Sequence, residues 1–506
     1  MEASLPPPPA SRRSGGCERG KGVGTVLLTC HDQENVQSVF RGGRDARLEH
    51  LFASSKLPLR ASAAGQGCAP ARVARCFPAR KLAAQRVGGS RCVCPASRRW
   101  LMTIRWMRRL DRILGVPLCW MVGCFNVLAR RRPVPCPPAP RSILVIKFFG
   151  MGSVLLAMPF LSALRTAYPQ ARISFLTFAS NHELLERLPV SMHRWSVRTN
   201  SLRNFVRDTL LVLRLFCRER IDMVFDIEFF SKYSTLLAAL SGAKVRVGYA
   251  LPTFWRKANL THPVLLERRR HVVSVFLNQL ASVGMNVPHT PTLPRLYATP
   301  NEMISLEKKL GLQTNGRELL ALNINAGATS LERRWSPDRF VALAIRLLEE
   351  YPHIHFFFTG SADERCYVQA ALDSHATLRK HAVNCAGILT LGELLALLQR
   401  SKVFITNDSG PMHIAAAVGV PIVALFGPES PEFYGPWGDA RVLYKPPACS
   451  PCLNMYNAKL FRCPYEEARC MRQIDVEDVF QEVRQLIDRP PVADHKVPCK
   501  LVGSSR

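Results

Sequence analysis

The sequence predicts an α/β protein in which two Rossmann-like domains face a cleft, preceded by a basic N-terminal extension that reads as disordered. Three observations carry this. Buried-strand signals alternate with amphipathic helical ones from residue 141 to about residue 490. Two of these strands, at 142–149 and 403–406, run into glycine turns that open helices, as at a right-handed crossover between parallel strands. A proline-punctuated stretch, 288–300 (PHTPTLPRLYATP), divides the alternation in two and has the composition of a hinge. The expected divisions are 1–100 for the extension, 101–140 for an apolar and basic segment with a proline linker, 141–295 and 296–490 for the two domains, and 491–506 for a tail.

At 506 residues and 47% apolar composition, the chain can bury two real cores. Its formal charge of +30, from 68 Lys and Arg against 38 Asp and Glu, looks at first like a nucleic-acid binder. The distribution excludes that reading. Residues 1–140 carry 24 of the basic and 7 of the acidic residues, so +17 lies there and only +13 on the remaining 366, an ordinary figure for an enzyme of anionic substrates. No nucleic-acid partner is expected.

Residues 1–100 sustain neither the helical nor the strand period, and no secretory-type apolar core stands near Met1. They read as a disordered basic tail, or as upstream sequence read through from a start set too early, with Met102 or Met107 the natural one. Segment 113–129 is apolar, with Trp106 before it, Trp120 within it and Arg130, Arg131 and Arg132 after it. It fits a helix lying in a membrane interface, a span at the short limit, or a helix packed on the protein's own core. Residues 133–140 read as a stiff linker.

In the first domain, strand 142–149 leads through Gly150, Met151, Gly152 and Ser153 into helix 154–168 and strand 173–178. Gly150 permits the tight turn, and Gly152 lets a ligand approach the backbone. Strand 221–228 ends in Asp226 and Glu228. Two apart on a strand, both would point into the cleft; the alternative is a surface loop. A helix and strand fill 231–249. His271, in a helical run at 270–281, reads as an ordinary core or solvated histidine.

In the second domain, helix 302–310 and strand 319–325 precede a turn at 326–330 containing Thr329 and Ser330. Arg333, Arg334 and Trp335 follow, then helix 338–350. A small-residue turn followed by two arginines fits an anion-binding loop, because the guanidinium fork holds diphosphate oxygens bidentately. Strand 353–360 runs into a loop with Glu364, and helix 391–400 leads to KVFITNDSGPMHIAAAVGVPIVALFGP at 402–428. There Ser409 suits a helix cap, Pro411 suits the first turn, and the free N–H groups after Gly410 offer an anion seat suited to a pyrophosphate. Asp408 and His413 would flank it. A helix at 474–488 closes the domain. Between them Cys449, Cys452, Cys463 and Cys470 could close a zinc site, form one or two disulfides, or pack as thiols; no metal is assigned to the reaction.

The run from Asp408 through Pro428 closely resembles the signature of glycosyltransferase family 9, the ADP-heptose:lipopolysaccharide heptosyltransferases: an acidic residue, Ser or Thr, Gly, Pro, x, His, x, three Ala, then a strand ending in FGP. Lys147, Gly152, Pro159 and Ala163-Leu164-Arg165 are similar to the family's opening, and 326–337 to its basic pair, Trp and Pro, with Arg333 where the family carries Lys. The resemblance covers about 141–490. It implies the glycosyltransferase B architecture and an inverting transferase needing no cofactor. An ADP-sugar would be the donor and a lipid-anchored oligosaccharide the acceptor, at the cytoplasmic face of the inner membrane. It also implies that Glu364 contacts the nucleotide ribose.

One departure matters. The family carries Asp, as the base for the acceptor hydroxyl, where this chain has Ser153, and a hydroxyl is no base at neutral pH. Glu228, with the longer reach, or Asp226 is then the candidate replacement. Asp408 belongs with the catalytic group. Two rivals stay open: a transferase of the same fold with another nucleotide sugar or surface glycan, and a non-catalytic sugar-nucleotide-binding protein.

Overall fold

The computed structural model describes residues 111, 113–129, 134–229, 231–250, 254–267, 269–288, 291–311, 318–327, 330–453, 463–465, 467–489 and 500–502. The expectations for 1–100 and for the arginines at 130–132 fall outside them. The described residues all belong to one compact unit.

Two all-parallel sheets form its centre. The first has the order β3-β2-β1-β4-β5-β6, from β1 (Ser142–Ile146), β2 (Arg172–Phe178), β3 (His193–Val197), β4 (Met223–Asp226), β5 (Val245–Tyr249) and β6 (His262–Val264). The second repeats that order as β9-β8-β7-β10-β11-β12 and adds β13 beside β12. Its strands are β7 (Leu319–Asn323), β8 (His355–Phe358), β9 (Ala382–Asn384), β10 (Ser401–Asn407), β11 (Ile422–Phe426), β12 (Ala440–Tyr444) and β13 (Lys500–Val502). The central strands are buried end to end because helices cover both faces, so they read as continuous apolar runs. β13 extends the second domain into the stretch expected to be a tail.

The fold departs from the sequence reading in two further places, both in the first domain. Helix 154–168 is two helices, Met151–Leu156 and Met158–Ala167, broken at Ala157 ahead of Pro159. β3 and the helix Leu202–Glu219 lie in sequence that carried no assignment. The apolar segment forms a helix, Gly115–Ala129, that packs on the helices Lys232–Leu240 and Phe254–Lys257. Gly115, Cys119 and Gly123, four apart, make its buried face, and Asn126 bonds Asn259 at 3.0 Å. Its other face, with Trp120, Met121, Phe125 and Leu128, is exposed. Among the described residues no helix is long and apolar enough to cross a membrane.

The halves share one apolar core. Val154, Leu155 and Leu156 pack with Met412, Ile414 and Ala416 where the Met151–Leu156 helix meets Gly410–Val418. Arg187 forks onto Glu302 (2.5 and 3.2 Å), and His271 Nε2 donates across the same boundary to the Gly435 carbonyl at 3.0 Å while its ring packs on Trp437. His271 is thus a contact between the halves, with a pKa lowered chiefly by burial.

Candidate active site

The strand order dictates where the site lies. β1 sits beside β4, and β7 beside β10, so the chain leaves their carboxyl ends in diverging directions, and an open α/β sheet binds ligands in that crevice. The two crevices face each other. The Gly150–Ser153 turn after β1 meets the Asp408–Gly410 turn after β10, and a Cβ added to Gly410 would lie 4.0 Å from the Gly152 nitrogen.

On the second-domain side, the helix Gly410–Val418 opens with Pro411 and ends at Gly419 in the left-handed conformation. Ser409 precedes it with extended backbone, but its hydroxyl does not cap the helix as expected: it accepts from Asn323 Nδ2 at 2.9 Å. The first turn therefore has no side-chain cap, which suits it to an anion. Arg333 Nη1 donates to Asp408 Oδ2 at 3.2 Å. Burial raises the Asp408 pKa, and the Arg333 charge opposes this. Arg334 lies over the Tyr367 ring at 4.4 Å and 3.7 Å from Glu364, whose other oxygen accepts from Ser361. Ser330 is buried and donates to Glu332, while Thr329 lies outside the described residues. The arginine loop is anchored by Trp335, fully buried, which donates from its backbone to Asn407 Oδ1 and from its ring to the Ile474 carbonyl, both at 2.9 Å.

His413, Arg333 and Arg334 each retain a buried nitrogen without a hydrogen-bond partner, Nδ1 of the histidine and Nε of each arginine. Buried polar atoms are almost always satisfied, so three unsatisfied ones around one helix start point to the atoms of a ligand. Burial, with Arg333 and His271 adding to it, pulls the His413 pKa down to about 3. The ring is neutral at any physiological pH and can bind without carrying charge.

On the first-domain side the structure corrects the sequence reading. β4 ends at Asp226, so strand alternation does not reach Glu228, and neither carboxylate is free in the cleft. Glu228 Oε1 accepts from Lys147 Nζ at 2.6 Å and from the Phe148 and Phe149 N–H groups at 2.9 and 2.8 Å. Asp226 is fully buried, 3.1 Å from the equally buried Arg256 and 3.0 Å from the Ser234 hydroxyl. Burial raises its pKa to about 6 against the pull of Arg256. The physical reason is desolvation: a carboxylate withdrawn from water needs a cation or several donors. Glu228 shapes the glycine turn, where Gly150 has φ +84°.

Three residues complete the crevice, of which the sequence singled out Lys147 as part of the opening motif without a site role and passed over the other two. Lys147 is the partner just described. Tyr434 follows β11; burial raises its pKa, with the charges of Glu429, Glu228 and Asp408 adding to the rise and Ser153, from the other domain, opposing it. Glu429 stands three residues past β11, buried, and the signal that could have found it is its place directly after the FGP turn.

Farther off, Cys449, Cys452, Cys463 and Cys470 are all free thiols; burial lifts the pKa of Cys470 to about 11 and also raises that of Cys452. Among the described residues no three His, Cys, Asp or Glu side chains are grouped to hold a metal.

Residues 212–460 match the family model described as glycosyltransferase family 9 (heptosyltransferase). The chain is 31% identical over 176 residues to lipooligosaccharide heptosyltransferase 2 of Campylobacter jejuni, an alignment covering 34% of this chain and 52% of that protein. It thus spans about half the length of that relative. It is 23% identical over 360 residues to lipopolysaccharide heptosyltransferase 3 of Escherichia coli, covering 70% and 98%. The solved structure of the E. coli ADP-heptose lps heptosyltransferase II shares the fold, with a TM-score of 0.55 and 23% identity over 68% of this chain and 98% of that one. Motif, topology and comparisons agree on glycosyltransferase family 9, whose model residues 212–460 match.

Proposed function

We propose that this protein is an inverting glycosyltransferase that moves a heptosyl group from an ADP-heptose donor to a lipopolysaccharide core acceptor. One observation carries the reading: an uncapped helix start, two arginines and a neutral His413 with an unsatisfied nitrogen converge at the crevice between the domains. The names of the relatives support the heptose and the lipopolysaccharide acceptor.

In this reading the diphosphate lies on the first turn of Gly410–Val418, with Arg333, Arg334 and Ser409 around it and Glu364 toward the ribose. The acceptor oxygen attacks the anomeric carbon from the opposite side. The bond from that carbon to the phosphate oxygen breaks, its electron pair leaves with the diphosphate, and configuration inverts. Arg333, Arg334 and the helix start hold the charge that develops, as fixed dipoles and guanidinium groups do best in a site withdrawn from water, so no metal cofactor is called for. Asp408 keeps Arg333 oriented. The acceptor being lipid-linked, the protein works on the cytoplasmic membrane surface. The exposed apolar faces of Gly115–Ala129 and Leu202–Glu219 support this.

Ser153 in place of the family's Asp favours a second reading, a protein that binds the nucleotide sugar without turning it over. The test is transfer from ADP-heptose, and from a panel of other nucleotide sugars, to core-truncated lipopolysaccharide, alongside ADP titration. Heptosyl transfer from ADP-heptose supports the proposal. Binding without turnover of any donor supports the second reading, and transfer only from another nucleotide sugar corrects the donor.

A further inference from the structure

A transfer to a hydroxyl needs a base, and the carboxylates expected to supply it are engaged. Asp226 belongs to Arg256, Glu228 to Lys147 and two backbone N–H groups, Asp408 to Arg333. Glu429 differs from all three. It stands three residues past the carboxyl end of β11, whose Leu425 carbonyl accepts the Asp408 N–H at 3.0 Å, and it lies within the electrostatic reach of Asp408, Arg333 and Tyr434. Among the described residues no ion pair holds it, and its one hydrogen bond is from the N–H of its neighbour Ser430, at 3.1 Å. A carboxylate that is buried without a cation costs stability, and such groups gather at functional sites.

Its surroundings connect it to the vacated family position. Tyr434 responds to both sides: Ser153, the residue standing where the family has Asp, pulls its pKa down, and of the charges that raise it that of Glu429 is the strongest. The charged groups acting on Glu429 are thus Asp408 from the turn after β10 and Arg333 from the arginine loop, while its neighbour Tyr434 also responds to Glu228 of the first domain. Burial first, and the Asp408 charge second, lift its pKa to about 8, with Ser430 N–H and Arg333 pulling the other way. A base poised near neutral pH accepts a proton more readily than an ordinary carboxylate.

We propose that Glu429 is the general base of the transfer, relocated from the position that Ser153 occupies. This rests on the transferase reading above. As the acceptor oxygen bonds to the anomeric carbon, its proton passes to the Glu429 carboxylate, while the bond to the diphosphate breaks and takes its electron pair with it.

The test measures ADP affinity and steady-state heptosyl transfer from ADP-heptose to core-truncated lipopolysaccharide in the full chain, Glu429→Gln, and Glu429→Gln with Ser153→Asp. Glu429→Gln is expected to lower kcat by about 100-fold or more, the scale of a lost general base, with ADP affinity unchanged. Restoring Asp at 153 is expected to recover at least about tenfold of that loss, with the acid limb of the rate profile moved well below the parent's limb near pH 8. Activity of Glu429→Gln within about threefold of the parent, over an unchanged pH profile, overturns the assignment. A parent that transfers nothing from any donor overturns the transferase reading itself, and a Glu429→Gln variant that loses ADP affinity equally would make Glu429 a structural or donor-binding residue instead.

Discussion

Gly152 and His413, one from each domain, touch at the floor of the crevice: a Cβ built on Gly152 would overlap the His413 ring, 3.1 Å from its Cγ and closer still to Cδ2. Only a hydrogen at this position lets the two turns meet. His413 cannot swing aside, because it is buried on the helix that the Met151–Leu156 helix packs against. The glycine turn of one half is therefore matched to the histidine of the other.

Gly152→Ala should for that reason separate the halves. Forcing a methyl into a close-packed contact costs about 1–3 kcal/mol, and here the strain falls on the donor-binding helix. Thermal melts should show a lower Tm, and ADP titration a weaker Kd. Substituting His413→Ala in the same chain should recover the Tm but not the affinity. A Gly152→Ala protein with parental melting and parental ADP binding would remove the contact from consideration.

Arg333→Ala should weaken ADP binding by about 1.5–3 kcal/mol, the range for a charge-assisted contact. It also leaves Asp408 buried without its cation, so the variant should melt earlier than the loss of one half-exposed side chain would suggest. Adding Asp408→Asn isolates the two effects: stability should return while affinity stays low. Unchanged ADP affinity in Arg333→Ala would take this arginine out of the diphosphate site.

How far these positions were legible depended on whether their chemistry was local. β11 and the 391–400 helix lie where periodicity put them, and the glycine turns and arginine loop are where their residue types require. β3 (HRWSV) was missed because only Val197 of its five residues is buried, which leaves an edge strand without an apolar run. Leu202–Glu219 was missed because its outward face carries Leu and Val as well as Arg, blurring the helical period. The partners of Asp226 and Glu228 lie 30 and 81 residues away, and strand alternation says nothing about such pairs. Glu429 was harder to see for the opposite reason: among the described residues no ion pair marks it.

The joint between the domains should be acid-labile. Hydrogen bonding to Arg187 holds the Glu302 pKa down at about 2, helped by the Thr299 N–H and opposed by burial. Folded-state pKa lies below the unfolded value, so the carboxylate stabilises the fold above the ordinary glutamate range, and that contribution is lost as pH falls toward 2. Glu302→Gln should lower the Tm at pH 7, and the difference from the parent should shrink steadily below about pH 4.5. A Tm difference independent of pH would mean that the side chain acts through packing alone.

The outer face of the first domain should bind anionic membranes. Leu202–Glu219 turns Leu202, Val206, Leu210 and Leu211 to solvent at helical spacing, interleaved with Arg203, Arg207, Arg214 and Arg218. Its two acids do not offset them: Asp208 is buried against Arg198, and Glu219 pairs with Arg172. This helix and Lys232–Leu240 cover one face of the sheet, and Gly115–Ala129 packs on the latter, so both exposed apolar faces belong to the same layer. An apolar stripe flanked by arginines binds a lipid surface through buried area and through attraction to anionic headgroups together. Sedimentation with vesicles containing phosphatidylglycerol should pull down the full chain, and phosphatidylcholine vesicles far less. Leu210→Ser with Leu211→Ser should weaken binding even in high salt, whereas Arg203→Glu with Arg207→Glu should weaken it most at low salt, where charges are least screened. If both pairs sediment like the parent while Phe125→Ser with Leu128→Ser does not, the Gly115–Ala129 helix alone holds the protein to the membrane.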